Sequence, residues 1–178
     1  MSQEESALDV ERSWLITNHI IIPKELDVKR LKITQMYLVS EHIEWLSQAQ
    51  HNDESIEYFH TTKKRGREVE KTITPEEFNK YMSRLCSERQ AIIKTRTIFE
   101  YHNLKYELDQ FFHPVLFSIL VVEVNKIDQE VPLPSWLGES VEITNKKSFS
   151  NQRISKSPDA AIKKADKLIA AHRESSKS

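Results

Sequence analysis

Eight short runs whose polarity alternates residue by residue constrain the fold of this chain more than any other feature. They read ALDVERSWLIT, LKITQMYLV, HIEWLSQ, SIEYFHTTKK, REVEKTIT, AIIKTRTIFEY, LKYELDQFF and LFSILVVEVNK. In an extended strand, successive side chains point to opposite faces, so an alternating run gives one face to a core and the other to something else. Turn-like stretches such as HNDES, RGR and YHN separate the runs. Together they predict an antiparallel sheet that closes or packs on itself, because open edges invite pairing with other chains. The predicted class is α+β: an eight-stranded antiparallel β-barrel with a few flanking helices.

Three segments carry helical signals instead. In TPEEFNKYMSRLCSER, Thr74 is placed to cap, Pro75 opens the helix and Glu77 completes a capping box; Phe78, Met82 and Leu85 then form an apolar stripe. PKELDVKRL reads as a shorter helix between the first two strands. After Pro158, a terminal helix capped by Ser157 puts Ala161, Ile162, Ala165, Leu168 and Ile169 on one side. Its small, Ala-rich stripe suits packing on the barrel better than lying in a membrane interface. The expected organisation is one domain over residues 1–156, followed by a helix and fraying tail over 157–178.

Lys plus Arg number 26 against 27 Asp plus Glu, so no global field draws the chain to nucleic acid or to a membrane surface. One cysteine, Cys86, leaves no intramolecular disulfide, and on its helix beside Leu85 it reads as a small buried hydrophobe. No apolar run is long enough to span a bilayer, and the acidic start MSQEESALDV has no signal-like core. The expected location is the cytoplasm. The seven histidines show no zinc-ligand spacing, and with only Gly66 and Gly138 there is no glycine-rich phosphate loop.

The strands carry polar and charged residues in pairs two apart, each pair on a single face: Asp9 and Glu11, Thr61 and Lys63, Glu68 and Glu70, Lys94 and Arg96, Glu107 and Asp109, Glu123 and Asn125. One such pair describes an ordinary solvated strand. Recurring through the strands, they predict a barrel whose interior is a charged tunnel, since buried charges need partners or metals.

These motifs, in this order, resemble the CYTH domains, or triphosphate tunnel metalloenzymes. DVERSWL is similar to that family's E-x-E-x-K strand, YFHTTKK and REVEKTI to its T-x-K and E-x-E hairpin, and IIKTRTIF to its K-T-R strand. YELDQF resembles its E-x-D strand, VVEVN its late E-x-E strand, and LPSWLGESVEITNKKSFSN its closing segment. The resemblance implies a tunnel that binds a small phosphorylated ligand, a triphosphate or a nucleotide, and hydrolyses a phosphoanhydride with Mg2+ or Mn2+. It implies that Lys63, Lys94 and Arg96 grip phosphate, that Asp9, Glu11, Glu70, Asp109 and Glu123 hold metal, and that Glu11 and Glu123 are the catalytic pair.

Several departures fall on cations. Ser13 stands at the place of the family's first-strand lysine, and Trp45 and Ser47 at an R-x-R-like pair in the third strand, while Asn125 replaces the second acid of the late motif. A register one residue off would turn Glu44 inward in place of Trp45. Trp45 itself reads either as a core aromatic or as a platform for a flat ligand. Seven inward acids (Asp9, Glu11, Glu68, Glu70, Glu107, Asp109, Glu123) face three bases (Lys63, Lys94, Arg96), which predicts weakened triphosphate binding and hydrolysis. The alternative is a catalytically dead tunnel domain that binds a ligand or a protein partner. TTKKRGR offers a short basic run, but nothing around it adds the aromatics or net charge of a nucleic-acid surface.

Overall fold

A computed structural model describes residues 10–177. Asp9 therefore lies outside the described residues. All eight alternating runs form strands: β1 (Val10–Ile16), β2 (Lys29–Tyr37), β3 (Ile43–Gln50), β4 (Ile56–Lys64), β5 (Arg67–Ile73), β6 (Ile92–Tyr101), β7 (Leu104–His113) and β8 (Ser118–Val124). A ninth, β9 (Ser140–Glu142), is too short to show as an alternating run and pairs with β1. The strand order is β5-β4-β3-β2-β6-β7-β8-β1-β9, every pairing antiparallel.

The predicted eight-stranded closed barrel is corrected on two points: the sheet has nine strands, and among the described residues no ladder joins its edges, β5 and β9. The sheet still curls. Glu68 on edge strand β5 lies close enough to Glu11, near the opposite edge, to act on its ionisation. The result is a deep trough in place of a sealed tunnel.

Turns follow local chemistry. Arg65 and Gly66 between β4 and β5, and His102 and Asn103 between β6 and β7, all take positive φ, as two-residue hairpins of this twist require. Helix α1 (Pro75–Tyr81) begins as expected, with the Glu77 backbone N–H donating to the Thr74 hydroxyl and Phe78 buried. It is shorter than its sequence suggests. A 3-10 turn over Met82–Arg84 ends it, so Cys86 lies beyond the helix and is half-buried. The expected helix at PKELDVKRL is absent: those residues make a turn that runs into β2, because Lys29 to Leu31 join the sheet and pair with β6. Two helices close the chain, α2 (Asn151–Lys156), which has no sequence signal beyond its Ser150 cap, and α3 (Pro158–Ser175). Among the described residues Ser157 makes no side-chain cap to α3. No described helix is long and apolar enough to cross a membrane.

Both faces of the sheet are used. The outer face buries Trp14, Ile16, Tyr106, Leu108, Leu120 and Val122 beneath the segments carrying Ile20 and Leu137. The inner face changes character along its strands. On β1 it runs Glu11, Ser13, Leu15; on β8, Glu123, Val121, Ile119; on β7, Glu107, Asp109, Phe111; on β6, Arg96, Lys94, Ile92. Leu15, Ile92, Phe111 and Ile119 form one core with Phe149 and Ile154, and with Ala161 and Ala165 of α3. The C-terminal helices thus plug the apolar half of the trough and leave the charged half open.

Ile154 is fully buried in that plug. Ile154→Ala is expected to cost about 2–5 kcal/mol of stability in a urea titration. A loss below about 1 kcal/mol would mean that the plug is not a true core.

Candidate functional site

The charged half is built on β6 and β7, where Arg96 lies directly opposite Asp109. Asp109 is 5% exposed and Lys94 1%. The Lys94 ammonium donates to Asp109 Oδ2 at 2.8 Å, and the Arg96 guanidinium donates through Nε to Oδ1 at 2.8 Å and through Nη2 to Oδ2 at 3.0 Å. Lys94 also reaches Asn151 Oδ1 at 3.4 Å, and Asn151 Nδ2 donates to Gln35 Oε1 at 3.0 Å, which ties α2 to the floor of the trough. Arg96 Nη1 lies 3.5 Å from Glu107 Oε2. Burial pushes the Asp109 carboxyl up, but the two cations outweigh it and hold it at about 2. Burial pulls the Lys94 ammonium down against the opposing pull of Asp109.

Beside this network stands a group with the opposite imbalance. Glu11 faces Glu123 directly across the β1–β8 pair. Burial raises the Glu11 pKa, and Glu107, Glu123 and Glu68 raise it further, against the counterweight of Arg96. Lys105 reaches in from β7, 3.3 Å from Glu107 and 3.9 Å from Glu123. Sequence reasoning missed Lys105, although it stands two residues before Glu107 on the same face of LKYELDQFF.

Trp45 and Ser47 do face inward: Trp45 is opposite Tyr37 on one side and Thr61 on the other, and Ser47 is 6% exposed. Glu44 points outward, which settles the register; its carboxylate bonds His60 Nε2 at 2.6 Å and Arg84 Nη2 at 2.5 Å beneath α1. Lys63 lies opposite Glu68, and Glu70 opposite Thr61, on the β4–β5 hairpin. Thr61 is buried, and its hydroxyl has no hydrogen-bond partner among the described residues.

The segment between β9 and α2 divides the open half into two cavities. One, of about 430 Å3, is lined by Tyr37, Trp45, Lys63, Glu68, Lys147 and Arg153, among others. The other, of about 520 Å3, is lined by Glu11, Ser13, Val121, Lys146 and Lys147, among others. Of the residues expected to act together, the structure places Lys94, Arg96 and Asp109 in one network and Glu11 and Glu123 in one pair. Lys63 and Glu70 sit on the hairpin across the trough, and Asp109 has both oxygens committed to cations.

Among the described residues, no group of three or more His, Cys, Asp or Glu side chains is placed as a metal cage. The oxygen donors offered are a carboxylate pair with Glu107 nearby. That suits magnesium-like ions, which are held by one or two carboxylates together with phosphate oxygens and water. It does not suit ions that need a closed protein shell.

Two outcomes follow from these charges. Asp109→Asn leaves buried Lys94 without its anion and is expected to cost about 3–5 kcal/mol in chemical denaturation. Because its folded pKa is depressed to about 2 from 3.8, the contribution of Asp109 is complete above pH 4 and fades as pH falls through 2. Glu11 has the opposite sign. Its folded pKa is raised above 4.5, so the folded state binds more protons just above that value and stability declines as pH rises. Glu11→Gln is therefore expected to raise Tm at pH 7 by about 2 °C without metal; a lowered Tm would contradict the crowding of charge described here.

No family model matches the chain, and no curated protein matches it. Solved structures do. A crystal structure of NE1496, described as a hypothetical protein, superposes with a TM-score of 0.59 at 26% identity, covering 83% of this chain and 97% of that one. Another, described as the inorganic triphosphatase NE1496, gives 0.57 at 25% identity over 83% and 94% of the two chains. The likeness takes in most of this chain and nearly all of the neighbour, and by it the chain is a CYTH-like domain.

Proposed function

We propose that the chain binds a small phosphate-chain anion, a triphosphate or a nucleotide, with a divalent cation in the open half of the trough, and that it hydrolyses the phosphoanhydride slowly. The observation that carries this reading is the pairing of two unlike sites on one face. Glu11 and Glu123 crowd negative charge with too little compensation, on the same inner face as the cations Lys94 and Arg96. A CYTH-like fold shared with an inorganic triphosphatase adds the chemical class of the ligand.

Glu11 and Glu123 would hold Mg2+ or Mn2+, with Glu107 at its side; Glu70 stands on the β4–β5 hairpin opposite Thr61. When bound, such an ion neutralises charge on phosphate oxygens and polarises the bond to be broken. The chain's own residues supply the rest. Lys63, opposite Glu68, has no ion pair within 4 Å among the described residues and is free to take a phosphate oxygen. Arg96 lies between Asp109 and Glu107 and orients the ligand only by sharing its donors with them.

That sharing is the physical reason to expect slow turnover. A bidentate guanidinium clamp stabilises developing charge when its fork is available, and here Asp109 occupies it. In the catalytically dead reading the domain holds its ligand without cleaving it, or serves a protein partner.

The test is release of inorganic phosphate from triphosphate with manganese at neutral pH. The expected result is measurable release that Glu11→Gln reduces at least a hundredfold, the scale of losing a charge-stabilising group. Release unchanged in Glu11→Gln would remove Glu11 from the chemistry, and binding without release would establish the dead alternative.

A further inference from the structure

We propose that the segment from Lys146 to Arg153 supplies the phosphate clamp of this domain, taking over from the strand positions that carry Ser13 and Trp45. This rests on the phosphate-binding reading above and names the residues that carry it. The starting point is a contrast between two sets of cations. Lys94 and Arg96 are neutralised inside the sheet by Asp109, and Arg96 also meets Glu107. Lys63, Lys147 and Arg153 line one cavity of about 430 Å3, and among the described residues none of the three forms an ion pair within 4 Å. Glu68 is the one acid on that wall. Uncompensated cations that converge on a cavity create a local positive potential, and an anion there gains charge-assisted hydrogen bonds with no internal partner to displace.

The placement matches the gaps in the strands. Trp45 lines the same cavity as Lys147 and Arg153, and Ser13 lines the neighbouring one with Lys146 and Lys147. Lys147 borders both. At each of those two strand positions where the inner face presents no cation, the space before it is bordered by cations from the C-terminal segment.

The segment is also held firmly enough to act as a clamp. Phe149 and Ile154 are buried in the core at 7% and 0% exposure, on either side of Arg153 and next to Lys147. Ser150 caps α2 through the Arg153 backbone N–H, and Asn151 bonds both Gln35 and Lys94. The backbone is therefore anchored while the Lys147 and Arg153 side chains stay exposed to the cavity. The chemistry that fits is a chain of phosphates spanning the two cavities across Lys147, with its metal-bound part beside Glu11 and its far end between Lys63 and Arg153.

The experiment is calorimetric titration of inorganic triphosphate, with manganese, into the full chain and into the Lys147→Gln/Arg153→Gln double variant. Lys163→Gln, on the exposed side of α3, is the control. The expected result is a Kd raised about a hundredfold in the double variant, roughly tenfold for each charged hydrogen bond removed. The control is expected to be unchanged, and Lys147→Arg with Arg153 intact is expected to keep most of the affinity. Both altered side chains are exposed, so Tm is expected to stay within about 2 °C, which separates lost binding from lost fold. Binding by the wild type that the double variant retains would overturn the relocated clamp and leave the phosphate-binding reading standing. No binding by the wild type would overturn that reading itself, and the clamp with it.

Discussion

The Asp109 carboxylate holds the inner face together. It is nearly fully buried and takes three hydrogen bonds from two cations, one of which, Lys94, is buried and depends on it to stay charged. Removing charges from water is expensive, and a buried pair breaks even only when its geometry is good and its remaining donors are satisfied. Here the two β6 cations share one β7 anion, and the leftover donors reach Glu107 and Asn151. The network therefore fixes how β6, β7 and α2 sit together, and it also decides which charges remain for a ligand. A cation already matched to a carboxylate has little to offer a phosphate unless that carboxylate is displaced or a metal shifts the balance.

The gradient along the strands explains how one sheet face serves both as core and as site. From Glu11 to Leu15, from Glu123 to Ile119, and from Glu107 to Phe111, each strand passes from charge to hydrocarbon in four residues. Alternation alone sets which side chains point inward; their order along the strand sets where the plug ends. Phe149, Ile154 and the alanines of α3 fill the hydrocarbon half and stop where the charges begin. The stability of the plug and the accessibility of the site are thus two consequences of one boundary, and Ser13 sits on it.

Much of this was legible in the sequence because the period of a strand is two and leaves little freedom once one face is identified. The eight long strands, the inward orientation of Lys94, Arg96, Asp109, Glu11 and Glu123, and the cap at Thr74 all followed from spacing, whereas the register of the third strand, and with it Trp45, did not. What was not legible depends on distance between segments far apart in the chain. Closure of the sheet is a property of edge geometry, and β5 and β9 carry no residue that announces whether they meet. The helix expected at PKELDVKRL lost to the sheet because its last residues pair with β6, a tertiary gain that outweighs weak local propensity. The commitment of Asp109 to two cations, and the approach of Lys146, Lys147 and Arg153 to the trough, are similarly invisible to any local pattern. A charge count over strands alone omits these residues and so overstates the deficit of positive charge.

The central claim is that a curled sheet with crowded carboxylates at one end and free cations at the other holds a phosphate chain and a divalent cation together. Ligand that binds only the folded state raises Tm with its saturation. The most direct measurement is the melting temperature of the full chain with manganese alone, inorganic triphosphate alone, and both. The account predicts a rise with both that exceeds the two separate rises added, because each ligand supplies the charge that the other lacks. An unchanged melting temperature at millimolar concentrations of both would contradict it.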